Sequence, residues 1–299
     1  MATDASFPIS RADALAAGLG DADLRRHYRR VLRGQWISGD RATTRDDLRR
    51  AALGLVGSDA FFTHDSAAEL HGGITPTTDA LHLGIPDDRR VRLPGLVVHR
   101  YLDRVPTTHA RGFPVTTLPQ TFIDLASRWP LVDLVVFGDS IAQQSATAID
   151  EFRSAASAGR GRSIRKARRA AALVVAGAES PYETRIRMLM TLAGLPQPVV
   201  QHPILDRNGR VIYRLDLAYP EYRLAIEYDG DYHTNAAQRG KDLARREEIE
   251  RLGWTFVVGL KTDIHGRPGQ LLRRMTSAMA SLGMPRPRLS DEWLLHFPG

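Results

Sequence analysis

The sequence predicts an α/β protein: a C-terminal core of helix, three antiparallel strands, helix, parallel strand, helix. An α+β region precedes it, beginning with a winged-helix-like unit. Three observations predict this order. Asn208-Gly209 and Pro220-Glu221 are turn signals that cut PVVQHPILDRNGRVIYRLDLAYPEYRLAIEYDGDYH into three short runs. AAQRGKDLARREEIERL (236–252) then separates the third run from WTFVVGL (254–260) by a stretch long enough for a parallel crossover. Ahead of them all stands SPYETRIRMLMTLAGL (180–195), a helix with its start and stop written out.

Residues 1–50 read as a small helical unit. Ser10 caps a first helix through Leu15 and Ala17, and Gly18 ends it; Asp21 or Asp23 starts a second, LRRHYRRVL, stopped by Gly34. QWISGDR follows as strand and turn, the outline of a winged helix-turn-helix. Arg25, Arg26, Arg29, Arg30 and Arg33 are then placed to meet phosphates, the alternative being a plain helical hairpin with a basic surface.

Residues 51–158 read as an α+β domain. THDSAAELHG is a capped short helix, DALHLGIP and GLVVHRY are strands, and TTLPQTFIDLAS and LVDLVVFGDSIAQQ are helical. His64, His71, His82, His99 and His109 show no HxxxH or other compact ligand spacing. They read as core or surface histidines rather than a metal site. The GRGRS stretch (159–163) predicts a hinge, and 159–178 a basic hinge and helix.

From 179 to 285 the signals sharpen. Ser180 is an N-cap, Pro181 the first helical residue and Glu183 the third, a capping-box spacing. Ile186, Leu189, Met190 and Ala193 give the apolar stripe, ended by Gly194. RPGQLLRRMTSAMASLG makes a last helix, and 286–299 is a tail.

Composition bounds the function. At 299 residues, 43% hydrophobic and 25% charged, the chain has material for two domains with real cores. No run approaches the length of a membrane span, MATDASFPIS carries no secretory signal, and there are no cysteines. Disulfides, thiolate metal sites and cysteine nucleophiles are thereby excluded, and a cytoplasmic location is expected. The formal net charge is +7, and residues 151–176 hold seven basic residues against one Glu151. Arg162, Arg165, Lys166, Arg168 and Arg169 in this stretch either attract a phosphate backbone or form a solvated helix face.

YRLDLAYPEYRLAIEYDGDYH (213–233) collects acid where strands disfavour it. With Pro220 and Glu221 as the two central residues of the corner, Tyr219 faces Tyr222 and Asp216 lies opposite Ala225, diagonal to Glu227. Asp216, Glu227 and Asp229 then share one face. Such a cluster calls for a cation or a retained proton, and its oxygen donors suit Mg²⁺ or Mn²⁺. Glu183 can reach the same place, and Asp242, Arg245, Ile249 and Leu252 recur at helical spacing, which turns Arg245 inward. The alternative is an exposed acidic strand face with Arg245 as its ion-pair partner.

ESPYE, YRLDLAYPEYRLAIEYDGDYH and KDLARREEIERLGWTFV together resemble the very-short-patch-repair-like branch of the PD-(D/E)XK restriction-endonuclease-like superfamily, over about residues 179–282. The resemblance implies that Glu183 is the first-helix acid, Asp216 the metal-binding acid of the second motif, Glu227 that of the third, and Arg245 the arginine of the following helix. Where the superfamily pattern has a Lys two residues after the third-motif acid, this chain has Asp229. Asp229 can serve as an extra metal ligand, with Lys241 or Arg245 lending positive charge, or His233 acts as general base, or the site is degenerate. The first half is similar to the AbiEi-type antitoxin family through the winged-helix-like unit, THDSAAELHG, LHLGIP, LVVHRY and FPVTTLPQTFIDLAS, which implies a DNA-reading or partner-binding module. The expected activity is a Mg²⁺- or Mn²⁺-dependent DNA endonuclease in repair or defence. The alternative is an antitoxin-like DNA-binding regulator with a non-catalytic nuclease-like domain. RNA as a target, a protein partner and a homodimer stay open.

Overall fold

The structure, a computed structural model, describes residues 7–230 and 236–298. The fold is α/β, and the chain divides into two compact units, Met1–Arg128 and Trp129–Gly299.

The first unit opens with β1 (Ile9–Ser10), α1 (Arg11–Ala16), α2 (Asp21–His27), β2 (Tyr28–Leu32) and β3 (Gln35–Ser38), the strands ordered β1-β3-β2. Ser10 caps α1 through the Asp13 N–H, as its position predicts. The second predicted helix is cut short. It ends at His27, and Tyr28–Leu32 instead pairs antiparallel with Gln35–Ser38, with Gly34 in the left-handed region (φ 76°) between them. A local helical pattern has yielded to strand pairing, so Arg29 and Arg30 lie on a strand rather than a helix. The expected boundary at residue 50 falls inside α3 (Arg45–Val56), whose Thr44 cap forms a reciprocal box with Asp47.

A five-stranded sheet follows, built from β4 (Phe61–Phe62), β5 (Leu81–Ile85), β6 (Leu96–Arg100), β7 (Thr107–Ala110) and β8 (Phe113–Thr116) in the order β6-β5-β4-β8-β7. The helices α4 (His64–Leu70) and α5 (Leu118–Leu125) complete the unit. Phe62, Leu70, Leu83, Ile85 and Val115 are its buried centre.

The second unit starts with α6 (Leu131–Gln144), α7 (Ala148–Ala158) and α8 (Ile164–Leu173). The predicted hinge at 159–163 joins α7 to α8 within this unit. Arg168 closes it by donating to the carbonyls of Ala156, Ser157 and Gly159, which satisfies the open C-terminal end of α7. The next helix, α9 (Pro181–Leu192), has the predicted Ser180 cap and Pro181 start. A buried ion pair ties it to α6: Arg187 donates to Asp139 at 2.6 Å, and Thr184 donates to the same carboxylate oxygen at 2.8 Å.

Beyond α9 come β9 (Val199–Leu205), β10 (Val211–Tyr219), β11 (Leu224–Asp229), α10 (Ala236–Arg251), β12 (Thr255–Leu260), α11 (Lys261–Gly266) and α12 (Pro268–Ser281). The sheet order is β12-β11-β10-β9, antiparallel across the first three strands in sequence and parallel between β11 and β12. This is the predicted succession. The tail packs back onto the unit: Ser290 N–H donates to the Ala193 carbonyl, Glu292 pairs with Arg169, and Phe297 is buried. Among the described residues no helix is long and apolar enough to cross a membrane.

Candidate active site

Register decides where the acids meet. The corner after β10 is longer than two residues. Pro220–Tyr222 makes a 3-10 turn and Arg223 adopts the left-handed conformation (φ 51°), so Tyr219 pairs with Leu224, Ala218 with Ala225 and Leu217 with Ile226. The expected pairing of Asp216 with Ala225 is therefore wrong by two residues. A shift of two conserves the face, and the ladder ends at Leu217–Ile226, so Asp216 and Glu227 are the residues that follow its last pair on that face. There the Tyr228 N–H donates to Asp216 Oδ2 at 3.0 Å.

Helix α10 covers that face. Ile249 packs with Ala218 and Ala225, the small residues that share the face with Asp216 and Glu227. One turn earlier Arg245 reaches the sheet as its spacing predicts. It donates to Glu227 Oε1 at 3.0 Å and Oε2 at 3.4 Å, and to the Arg214 carbonyl at 2.7 Å. Leu252, expected on the same stripe, is exposed. Glu183 enters from the first turn of α9 and is buried; its Oε2 accepts from the Glu179 N–H at 2.9 Å and Gln201 Nε2 at 3.1 Å.

Burial, with Glu183 and then Glu227 adding like charge, pushes the Asp216 carboxyl up to about 7; the Tyr228 N–H and Arg245 pull the other way. A carboxyl held this high marks a place short of positive charge. The donors are hard oxygens, so the residues present fit Mg²⁺ or Mn²⁺ in kind. Asp229 ends β11 and is exposed. His233 lies outside the described residues, as does the side chain of Lys241.

Sequence reasoning missed an aromatic stack formed by the chain neighbours of two of these acids. Tyr182 and Tyr228 stack with ring centres 4.6 Å apart and planes 9° from parallel, and His265 meets Tyr182 edge-on. Tyr182 precedes Glu183 and Tyr228 follows Glu227, which is the one signal the sequence carries for it. It missed a second grouping, in the first unit. Among the described residues, His64, His82 and His99 are the three whose ligand atoms all lie within 4.8 Å of one another. Seventeen or eighteen residues separate neighbours in this trio, so no motif scan joins them.

The basic candidates divide. Arg25, Arg29, Arg30 and Arg33 are exposed, with Arg29 anchored by donation to the Arg41 carbonyl and Thr43 Oγ1. Arg162 and Arg165 are exposed on the first turn of α8 and the residues leading into it. Lys166 donates to the Trp129 carbonyl, Arg168 closes α7, and Arg169 pairs with Glu292. The last three make contacts internal to their own unit.

No family model matches the chain. A solved structure, that of the Rv2827c protein from Mycobacterium tuberculosis, is similar with a TM-score of 0.40 and 18% identity, covering 61% of this chain and 75% of that one. The uncharacterized proteins MT2308 and Rv2248, from two strains of Mycobacterium tuberculosis, are each 31% identical over 230 residues, covering 76% of this chain and 84% of theirs. At that identity and coverage the chain belongs to the family of the mycobacterial protein Rv2248.

Proposed function

We propose that the second unit is a divalent-metal-dependent endonuclease domain that hydrolyses phosphodiester bonds in DNA. The observation that carries this reading is the meeting of Asp216 and Glu227 on one face just beyond the last pair of β10 and β11, beside Glu183 and under Arg245. Asp216 and Glu227 would hold Mg²⁺ or Mn²⁺, with Glu183 and Asp229 completing or tuning the shell. When bound, the ion supplies Lewis-acid polarisation of a phosphate and a more acidic water. Arg245 neutralises charge that develops on the phosphate once its hydrogen bonds turn from Glu227 to the substrate. The test is purified protein on single-stranded, nicked, mismatched and duplex DNA, and on RNA, with Mg²⁺ or Mn²⁺. Cleavage is expected to fall at least about 100-fold in Asp216→Ala and in Glu227→Ala; cleavage unchanged in both variants overturns the assignment.

A second reading has its own support: a DNA-binding, antitoxin-like regulator whose nuclease-like domain is not catalytic. Glu227 already has a cation in Arg245, and the position where a lysine would orient water is the exposed carboxylate Asp229. This reading predicts no metal-dependent cleavage. It predicts salt-sensitive DNA binding that weakens when Arg25, Arg29 and Arg30 are replaced by alanine.

A further inference from the structure

We propose that the first unit carries a second, separate metal site, in which His64 Nε2, His82 Nδ1 and His99 Nε2 bind one zinc-like d-block cation. Their ligand atoms lie within 4.8 Å of one another. His64 is 6% exposed and His82 1% exposed, so two of the three imidazoles are shielded from bulk water.

Polar neighbours stand behind two of the three rings. Thr63 Oγ1 lies 3.1 Å from His64 Nδ1, 2.6 Å from Tyr101 Oη and 3.0 Å from Asp124 Oδ2. With His64 Nδ1 facing that hydroxyl, Nε2 is the nitrogen of the ring that Thr63 leaves open. On the second ring, Asp65 Oδ2 lies 3.6 Å from His82 Nε2 and favours the proton there, which leaves Nδ1 as the lone-pair nitrogen. His82 Nδ1 then accepts from His99 Nε2–H at 3.0 Å, and metal binding requires the His99 proton to move to its Nδ1. The hydroxyl behind His64 and the carboxylate near His82 are of the kind that metal-binding histidines use as a second shell to set tautomer and basicity.

Strand geometry explains the convergence. In the parallel β5–β6 ladder His82 pairs with Val97, so His99, two residues on, shares its face. His64 stands at the start of α4 with a left-handed backbone (φ 48°), which turns its ring onto His99 at 3.8 Å between centres and 15° between planes. Two nearly parallel rings cannot both aim in-plane lone pairs at one ion, so binding turns one ring out of the stack. His99 is the half-buried one, on an edge strand, and is assigned that turn. Three imidazoles suit Zn²⁺ and its neighbours, and leave one position of a tetrahedral ion for an exogenous ligand.

The probe is Zn²⁺ added to the metal-free full chain, followed by calorimetry. One equivalent is expected, retained in the Asp216→Ala/Glu227→Ala double variant. Affinity is expected to drop by more than about 100-fold in His99→Gln and by about 10–100-fold in Thr63→Val, which keeps all three imidazoles and removes the hydroxyl beside His64. Zinc binding of unchanged affinity in His99→Gln, or none in the wild type, overturns the proposal. X-ray absorption on the Zn²⁺-loaded wild type needs no variant: three imidazole nitrogens at about 2.0–2.1 Å are expected, and two or fewer refute the site.

Discussion

Arg245 holds both oxygens of Glu227, at 3.0 and 3.4 Å, while its other bond goes to the carbonyl of Arg214 on the neighbouring strand. The guanidinium is therefore part of the sheet's own closure as well as a cation in direct contact with one of the acids. Glu227 is 8% exposed at its side chain and Arg245 32%, so the pair is only partly shielded from water.

Removing that cation leaves a buried carboxylate uncompensated. Arg245→Gln is expected to lower stability by about 1–3 kcal/mol, less than a fully buried pair would cost. Saturating Mg²⁺ should raise the melting temperature of Arg245→Gln more than that of the wild type, because the ion takes over the missing charge. Equal metal-induced shifts in calorimetry would count against an ion among these carboxylates.

Asp216 makes stability depend on pH in the unusual direction. Its folded value, about 7, lies above the ordinary 3.8, so the folded protein binds more protons between those limits. Stability from this group is present below about pH 4 and is lost as pH rises towards 7. Asp216→Asn should then be more stable than metal-free wild type at pH 7.5, by on the order of 1–2 kcal/mol, with the gain vanishing near pH 4. Denaturant midpoints at the two pH values check this, and a gain equal at both would contradict it.

Asp47 works the other way. The Arg41 guanidinium, helped by Thr44, holds its carboxyl well below the ordinary 3.8 despite burial. A depressed value contributes stability above about pH 4 that is lost as pH falls. Asp47→Asn is expected to cost about 2–3 kcal/mol at pH 7, through the ion pair and the α3 cap together. The deficit should shrink steadily below pH 4; urea titration of both proteins across that range measures it.

Gly194 is where the tail meets α9. Its φ is +78°, and a Cβ there would stand 2.5 Å from the Arg288 carbonyl oxygen. Gly194→Ala combines left-handed strain with a backbone clash, for an expected loss of about 2–4 kcal/mol. Trypsin should cut near Arg288 in this variant well before the wild type. Indistinguishable digestion patterns would show that the tail does not depend on this contact.

Much of the second unit was legible because its signals are local. Ser180 and Pro181 define a helix start through backbone hydrogen bonding, Asn208-Gly209 makes a tight turn, and Gly253 stops α10; each acts within a few residues. The face shared by Asp216 and Glu227 was legible too, since alternation survives any even error in the turn. Their partnership was not. It depends on a four-residue corner in which Arg223, not a glycine, takes the left-handed conformation. The helical pattern around Arg29 and Arg30 misled for a related reason: pairing with Gln35–Ser38 outweighs the preference of the isolated segment.

By itself, then, the sequence determined the order of helices and strands in the second unit, the side of the sheet on which its acids stand, and the absence of thiol chemistry. Only the tertiary structure decided that Asp216 meets Glu227, that Arg245 divides itself between an acid and a backbone carbonyl, and that Lys166, Arg168 and Arg169 are engaged within their own unit. It alone brought together His64, His82 and His99. Capping and alternation are properties of neighbours along the chain. Strand register and the meeting of distant side chains are settled by packing, which no spacing in the sequence records.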